Sequence, residues 1–178
     1  MGALGAALGT MVANLSSHKP GWDARWEEFS DWADKGQKLM TELLHLVDED
    51  TEAFNRIMNV FSMPKVPTRR KLPVAPHCRR LRSTLRRCLC VRCRLVQGVR
   101  NREGDGRQGN PNSVTDGGVG ALAARSAVLG ACLNVKINAA GLKDRAVADD
   151  LIGQANRIVA DAEKAEREIL EIVESKIK

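Results

Sequence analysis

The stretch that decides the fold is residues 144–178, DRAVADDLIGQANRIVADAEKAEREILEIVESKIK. Its apolar side chains recur every three or four residues, which is the period of an α-helix with one buried face. Acidic and basic side chains cover the other face. The apolar face comprises Leu151, Ile152, Ala155, Ile158, Val159, Ala162, Ala165, Ile169, Ile172, Val173 and Ile177. The segment predicts a long amphipathic helix that packs against other helices, as in a bundle or coiled coil.

The same period appears upstream. Apolar positions follow it from Trp22 to about Phe61, with Gly36 marking a kink or a boundary between two helices. In residues 2–17 the small residues include Gly5 and Gly9, a spacing that lets another helix approach closely. Aromatic residues make up 3% of the chain and tyrosine is absent, which disfavours a β-sandwich. We expect an all-α protein.

The first 15 residues are apolar and have no basic residue before Lys19. They are too short to span a bilayer and lack the charged start of a secretory signal. We interpret them as a buried helix, and we predict a cytoplasmic chain without a membrane partner.

The net charge of +6 would ordinarily favour a polyanionic partner, but it is concentrated in one quarter of the chain. Residues 66–108 hold 13 Lys+Arg and 2 Asp+Glu, a balance of +11, so the remaining 15 Lys+Arg and 20 Asp+Glu balance at −5. Four of the five cysteines lie in the same quarter, and the fifth, Cys132, is expected in the core. We call residues 66–108 the basic segment.

Four blocks on either side of the basic segment resemble one known family. They are GALGAALGTMVANLS (2–16), LVDEDTEAFNRIM (46–58), GNPNSVTD (109–116) and VLGACLNVKINAAGLKD (128–144). Together and in this order they are similar to the cyclodeaminase family, the all-helical C-terminal half of formiminotransferase-cyclodeaminase, which includes stand-alone methenyltetrahydrofolate cyclohydrolases.

The resemblance implies a single cyclodeaminase-like domain over residues 1–178, an all-α helical bundle with family-like parts at 1–64 and 109–178. Members of the family carry a glycine-rich loop and another helix upstream of the block at 2–16. We therefore expect this chain to lack its N-terminal helix and glycine-rich loop.

The basic segment stands where the family has an alanine-rich amphipathic helix. Back-translated with permitted codons and read one nucleotide earlier, residues 66–93 give a helix of that kind. Residues 94–107 read one nucleotide later lead directly into GNPNSVTD. We hypothesise that residues 66–108 are translated in the wrong frame, and we expect them to be poorly ordered and this copy of the protein to be impaired.

An alternative for the basic segment is a zinc or nucleic-acid element. The run CLCVRC at 88–93 offers thiolates beside arginines, which favour metal binding. No second CxxC pair follows, and no aromatic residue is interleaved to stack on bases. We expect neither a metal nor a nucleic-acid partner.

The resemblance implies a formimidoyltetrahydrofolate cyclodeaminase, which converts 5-formiminotetrahydrofolate into 5,10-methenyltetrahydrofolate and ammonia during histidine breakdown and one-carbon metabolism. Methenyltetrahydrofolate cyclohydrolase is the alternative within the family, and a helical structural or RNA-binding protein is the alternative outside it. The substrate would be a tetrahydrofolate derivative, polyglutamylated, with no metal. The expected partners are a second copy, in a homodimer, and a fused or separate formiminotransferase.

The acidic run at 48–52 supplies one catalytic candidate. Carboxylates crowded on a helix hold a proton more readily, which suits acid–base chemistry near neutral pH. Spacing alone favours a solvated acidic face. Asp50 lies four residues before Phe54 and close to the apolar stripe, and for Asp50 the resemblance favours a catalytic role.

The remaining candidates follow the basic segment. In NPNSVTD, a loop that enters a helix presents free N–H groups to an anion or a carbonyl, which makes Asn112 and Ser113 folate-binding candidates. The resemblance implies that this loop lies at the folate cleft, and it favours a catalytic role for Asp116. Ser113 also suits an N-cap with Asp116 as its capping-box partner.

In NVKINAAGLKD, polar and apolar residues alternate, which predicts an extended, non-helical link. Lys136 is the third catalytic candidate: it would hold a folate carboxylate or tune a nearby acid, or else is simply a solvated lysine. Asn134 and Asn138 are folate-binding candidates beside it.

Overall fold

A computed structural model describes residues 1–17, 20, 23–62 and 113–177. These residues form four α-helices and a short 3-10 turn: α1 (Gly2–Ser17), the turn Asp23–Arg25, α2 (Trp26–Ser62), α3 (Val114–Ala140) and α4 (Arg145–Ile177). The described ranges contain no β-strand. The all-α prediction is confirmed.

Helix α4 has the buried face that its spacing predicted. Seven of the eleven predicted apolar positions are buried and three are half-buried, whereas Ile177, at the last turn, is exposed. Burial of the apolar stripe against the other helices stabilises α4, since an isolated helix of this kind is marginal in water.

Helices α1 and α2 pack against each other across a short connection. Helix α2 runs unbroken through Gly36, so the predicted boundary between two helices there is wrong. A Cβ at Gly36 would overlap Thr10 Oγ1 on α1. The glycine is therefore a point of close approach between the two helices. Among the described side chains of α2, Leu46 is the last buried apolar position, and Val47 and Phe54 beyond it are 61% and 59% exposed.

Helix α3 packs on both α1 and α4. A Cβ at Gly5 would lie 3.0 Å from the Gly120 carbonyl oxygen, and one at Gly118 would lie 3.4 Å from Val173 Cγ2. The close helix approach predicted from Gly5 is therefore present, between α1 and α3.

The buried side chains form two clusters along α3. The larger cluster gathers all four helices around the second half of α3: Ala6, Leu39, Leu43, Leu46, Val128, Cys132, Val135, Leu151, Ala155, Ile158 and Ala162. The smaller one joins the start of α3 to the end of α4: Val114, Ala121, Ala165, Ile169 and Val173. Cys132 is 3% exposed, so its prediction as a core residue is confirmed.

The extended link predicted around Asn134, Lys136 and Asn138 is wrong, because α3 continues to Ala140. Val135 and Ala139, four residues apart, are both buried on the core side of the helix, and the apparent alternation came from Ile137, which is 74% exposed. The helix ends at Gly141, whose N–H donates to the Asn138 carbonyl at 3.2 Å.

The wrong-frame hypothesis for residues 66–108 and the binding role of Asn112 concern positions outside the described residues.

Candidate functional site

The first turns of α3 combine small buried residues with one carboxylate. Ser113, Gly117 and Gly118 are buried, and Asp116 is half-buried beside them. An acid in the first turn of a helix is stabilised by the helix dipole and the free N–H groups there. The sequence therefore places a partly desolvated carboxylate at the entry of an apolar helix.

Ser113 occupies the N-cap position, but its side chain makes no capping hydrogen bond, so the predicted capping box is wrong. The backbone at Ser113 has φ −109° and ψ 5°, away from the extended geometry that directs an N-cap oxygen at the free N–H groups. Asp116 is also one methylene shorter than the Glu or Gln of a capping box. Neither side chain is committed to capping.

Gly117 lies next to Asp116 and is buried, yet a Cβ built on it would meet no heavy atom of the described residues within 4 Å. No described side chain therefore occupies the position beside this half-buried carboxylate, and we call Ser113, Asp116 and Gly117 the α3 entry site.

One charged pair between α3 and α4 was missed at the sequence level. Arg125 Nε lies 2.9 Å from Glu166 Oε2 on α4, and its guanidinium is 3.6 Å from Glu163. The Nε–H does not point along a hydrogen bond, so the close contact is an ion pair rather than a hydrogen bond. The sequence signal for this ion pair is the single arginine in ALAARSAVLG, a run of small and apolar residues, because a charged side chain in such a run needs a partner.

The three polar candidates in the last turns of α3 do not share a face. Asn138 Nδ2 donates to the Asn134 carbonyl at 2.7 Å, one turn back. Lys136, two residues from each, projects from the opposite side of the helix and is exposed. Lys136 is free of the asparagine pair and points to solvent.

Asp50 is exposed on α2. It follows Leu46 by one turn, and Leu46 belongs to the same core cluster as Val135, the neighbour of Lys136. Asp50 and Lys136 are each close in sequence to a residue of the larger cluster, whereas Asp116 lies beside the smaller one.

The three catalytic candidates therefore do not converge. Asp116 and Lys136 are 20 residues apart on one continuous helix, which corresponds to about 30 Å along its axis. The structure brings Ser113 and Asp116 together, and it separates both from Lys136, Asn134 and Asn138. The individual roles of these residues stay predictions.

Within the described ranges, no three His, Cys, Asp or Glu side chains are grouped so as to hold a metal ion. Cys132 Sγ lies 4.0 Å from Asn156 Oδ1 across the α3–α4 contact, and His45 is an exposed side chain 3.7 Å from Glu49. The chemistry available at the α3 entry site is that of a carboxylate, a hydroxyl and backbone N–H groups.

Comparisons with known proteins agree on one family. A family model described as formiminotransferase-cyclodeaminase matches residues 1–157. The chain is 31% identical to a methenyltetrahydrofolate cyclohydrolase of Methylorubrum extorquens, over 99% of this chain and 85% of that protein. It is 27% identical to the formimidoyltransferase-cyclodeaminase of Gallus gallus, over 98% of this chain but only 32% of the chicken protein.

Among solved structures, the formiminotetrahydrofolate cyclodeaminase of Thermotoga maritima superposes with a TM-score of 0.72. The superposition covers 99% of this chain and 85% of that one at 19% sequence identity, so it shows the fold alone. The resemblance in the sequence, the family model and the fold agree, and the chain belongs to the formiminotransferase-cyclodeaminase family.

Proposed function

We propose that this protein is a cytoplasmic enzyme that acts on the one-carbon group of a tetrahydrofolate derivative. The observation that carries the proposal is the match, over 99% of this chain, to a protein named methenyltetrahydrofolate cyclohydrolase. The half-buried Asp116, next to the buried Gly117 at the start of α3, supplies a group for the chemistry.

Two reactions suit this site. In the cyclohydrolase reaction, water adds to the cationic methenyl carbon of 5,10-methenyltetrahydrofolate, one proton is released, and the bond to N5 breaks to give the 10-formyl compound. In the cyclodeaminase reaction, N10 of 5-formiminotetrahydrofolate attacks the formimino carbon and loses its proton. The formimino nitrogen takes up two protons, one in exchange for that of N10 and one from the medium, and leaves as ammonia, which gives the methenyl cation. The relative at 31% identity, from Methylorubrum extorquens, favours the cyclohydrolase reaction. The chicken relative supports the cyclodeaminase reaction, which would belong to histidine breakdown, as the second candidate.

Both reactions need a base for one proton and an anion beside a cationic amidine carbon. A carboxylate that is partly withdrawn from water does both, because its charge is less screened than at an open surface. We assign these tasks to Asp116, with Ser113 and Asn112 holding the pterin or its amide.

Lys136 suits a different part of the substrate. As an exposed cation on the last turns of α3, it would hold a carboxylate of a polyglutamylated folate tail. Asn134 and Asn138, on the opposite side of the helix, stay folate-binding candidates. Asp50 is the second proton carrier in this proposal. Because about 30 Å of helix separates Lys136 from Asp116, we further propose that the protein acts as a homodimer, with a formiminotransferase as its separate or fused partner.

The test uses two versions of the protein: the chain as it stands, and a frame-restored version in which residues 66–108 carry the translation of the shifted frame. Each is assayed for loss of the methenyl compound and for ammonia release from the formimino compound. We expect one of the two activities in the frame-restored version and a weaker one in the chain as it stands. Absence of both activities together with measurable RNA binding would instead support the helical RNA-binding alternative.

A further inference from the structure

The apolar stripe of α2 continues beyond the part of the helix that is buried. Leu43 and Leu46 are 6% and 8% exposed, and Val47 and Phe54, which follow at helical spacing on the same side, are 61% and 59% exposed. Asp50 lies between these two and is exposed as well. The second half of α2 therefore presents an apolar face, and we call Val47, Asp50 and Phe54 the α2 end face.

The exposure of the α2 end face contrasts with the first half of the same helix. Phe29, Ala33 and Leu39, on the stripe that leads to Leu46, are 8%, 6% and 6% exposed. Single apolar side chains at a surface need no explanation. An aromatic ring in line with a buried stripe does need one, because burial of aromatic side chains makes a large contribution to packing. The α2 end face is therefore a surface that lacks its cover.

The sequence that follows α2 supplies a cover when it is read in the shifted frame. Only residues 63–65 separate the end of α2 from that reading, which over residues 66–93 gives an alanine-rich amphipathic helix. Helices joined by so short a connection lie side by side and antiparallel. About twenty residues of that helix reach about 30 Å back along α2, past Val47, which lies about 23 Å before the end of α2.

We propose that the helix encoded by the shifted frame over residues 66–93 packs antiparallel on the α2 end face. Its alanine side chains let it approach closely, so that the large ring of Phe54 packs against small residues. In the chain as it stands the same positions are rich in arginine, which cannot be buried without partners. The wrong frame thus leaves Val47 and Phe54 exposed.

The cover also changes the surroundings of Asp50. A helix over Val47 and Phe54 withdraws the carboxylate between them from water, and the charge of that carboxylate is then less screened. Asp50 is the second proton carrier of the proposed function, so this consequence rests on the proposed function, whereas the packing of the two helices does not.

The test compares Phe54→Ala in the chain as it stands and in the frame-restored version, by urea unfolding followed by circular dichroism. In the frame-restored version the variant should raise the equilibrium constant of unfolding at least about 100-fold, because it truncates a covered aromatic side chain. In the chain as it stands the ring is already 59% exposed, and the same constant should change by less than about threefold.

His45→Ala is the matched control. His45 lies on the opposite side of α2 from Phe54, and its side chain is 73% exposed. The control should change the equilibrium constant of unfolding by less than about threefold in both versions. Phe54→Leu removes less volume and keeps the comparison measurable if Phe54→Ala does not fold; it should raise the constant in the frame-restored version alone.

Equal and small effects of Phe54→Ala in the two versions would overturn the proposal, because the restored helix would then leave the ring in water. A second copy on the α2 end face would instead make Phe54→Ala destabilising in both versions, and more so at higher protein concentration, which would also overturn it. Folate turnover is measured separately, so a frame-restored protein that turns over no folate but shows the Phe54 contrast would refute the folate function and support the packing.

Discussion

The close approach of α1 and α2 at Gly36 can be tested by adding a single methyl group. In Gly36→Ala the new Cβ overlaps Thr10 Oγ1. That oxygen has little freedom to move, because Thr10 is 9% exposed and its hydroxyl donates to the Ala6 carbonyl at 2.8 Å. Overpacking of this kind costs about 1–3 kcal/mol, while alanine over glycine in a helix gains about 1 kcal/mol. The free energy of unfolding should therefore fall by about 0–2 kcal/mol.

The control is Gly153→Ala, where no described atom lies within 4 Å of the new Cβ, so only the gain of about 1 kcal/mol remains. A double-mutant cycle isolates the contact. With Thr10→Ala in place the overlapping oxygen is gone and the nearest atoms are Cβ at 3.3 Å and Cα at 3.6 Å. Gly36→Ala should then cost little or stabilise slightly, which gives a coupling energy of about 1–2 kcal/mol.

Urea unfolding followed by circular dichroism measures the four free energies of the cycle. If Gly36→Ala stabilised the protein as much as Gly153→Ala does, with or without Thr10, the two helices would not be in contact at this point.

Three further outcomes follow from the packing and the site. Glu166→Gln should lower the free energy of unfolding in urea by about 1.5–3 kcal/mol, because it leaves Arg125 without its closest charged partner. Glu163→Gln, whose side chain is more exposed, should lower it by less than about 0.5 kcal/mol. Equal losses in the two variants would contradict the burial of Glu166. Ile169→Ala truncates a side chain that is 0% exposed and should lower the free energy of unfolding by about 2–5 kcal/mol. Ile177 is 66% exposed, so Ile177→Ala should change the same quantity by no more than about 0.5 kcal/mol. In the frame-restored protein, Lys136→Ala should raise KM for polyglutamylated folate while leaving kcat unchanged, and an unchanged KM would remove Lys136 from the binding site.

Helical spacing was sufficient to predict the long elements. The apolar face of α4 was predicted from sequence because a period of three to four residues over more than thirty positions has no strand alternative. Gly5 likewise predicted a close helix approach, but the identity of its neighbour, α3, depends on tertiary packing and could not be read from the sequence.

The errors have physical causes of their own. Residues 134–138 alternate polar and apolar as a strand does, yet Val135 and Ala139 satisfy the helical period and their burial decides the outcome. The pairing of Arg125 with Glu166 joins residues 41 positions apart in sequence, so the sequence indicated only that Arg125 needs a partner.

The candidate site also has one feature that the sequence could predict and one that it could not. Ser113 and Asp116 are neighbours in sequence, so their proximity was predictable. The separation of Asp116 from Lys136 was not, because it depends on α3 continuing without a break through the predicted link.

The measurement that tests the central claim most directly is the turnover of methenyltetrahydrofolate and formiminotetrahydrofolate by frame-restored protein carrying Asp116→Asn, with Asp161→Asn on the exposed side of α4 as the matched control. Loss of a positioned proton carrier should lower the rate about 10²- to 10⁴-fold, while the control should keep the full rate. Equal rates in the two variants would contradict a catalytic site at the start of α3, and no turnover of either folate by the parent protein would contradict the folate function itself.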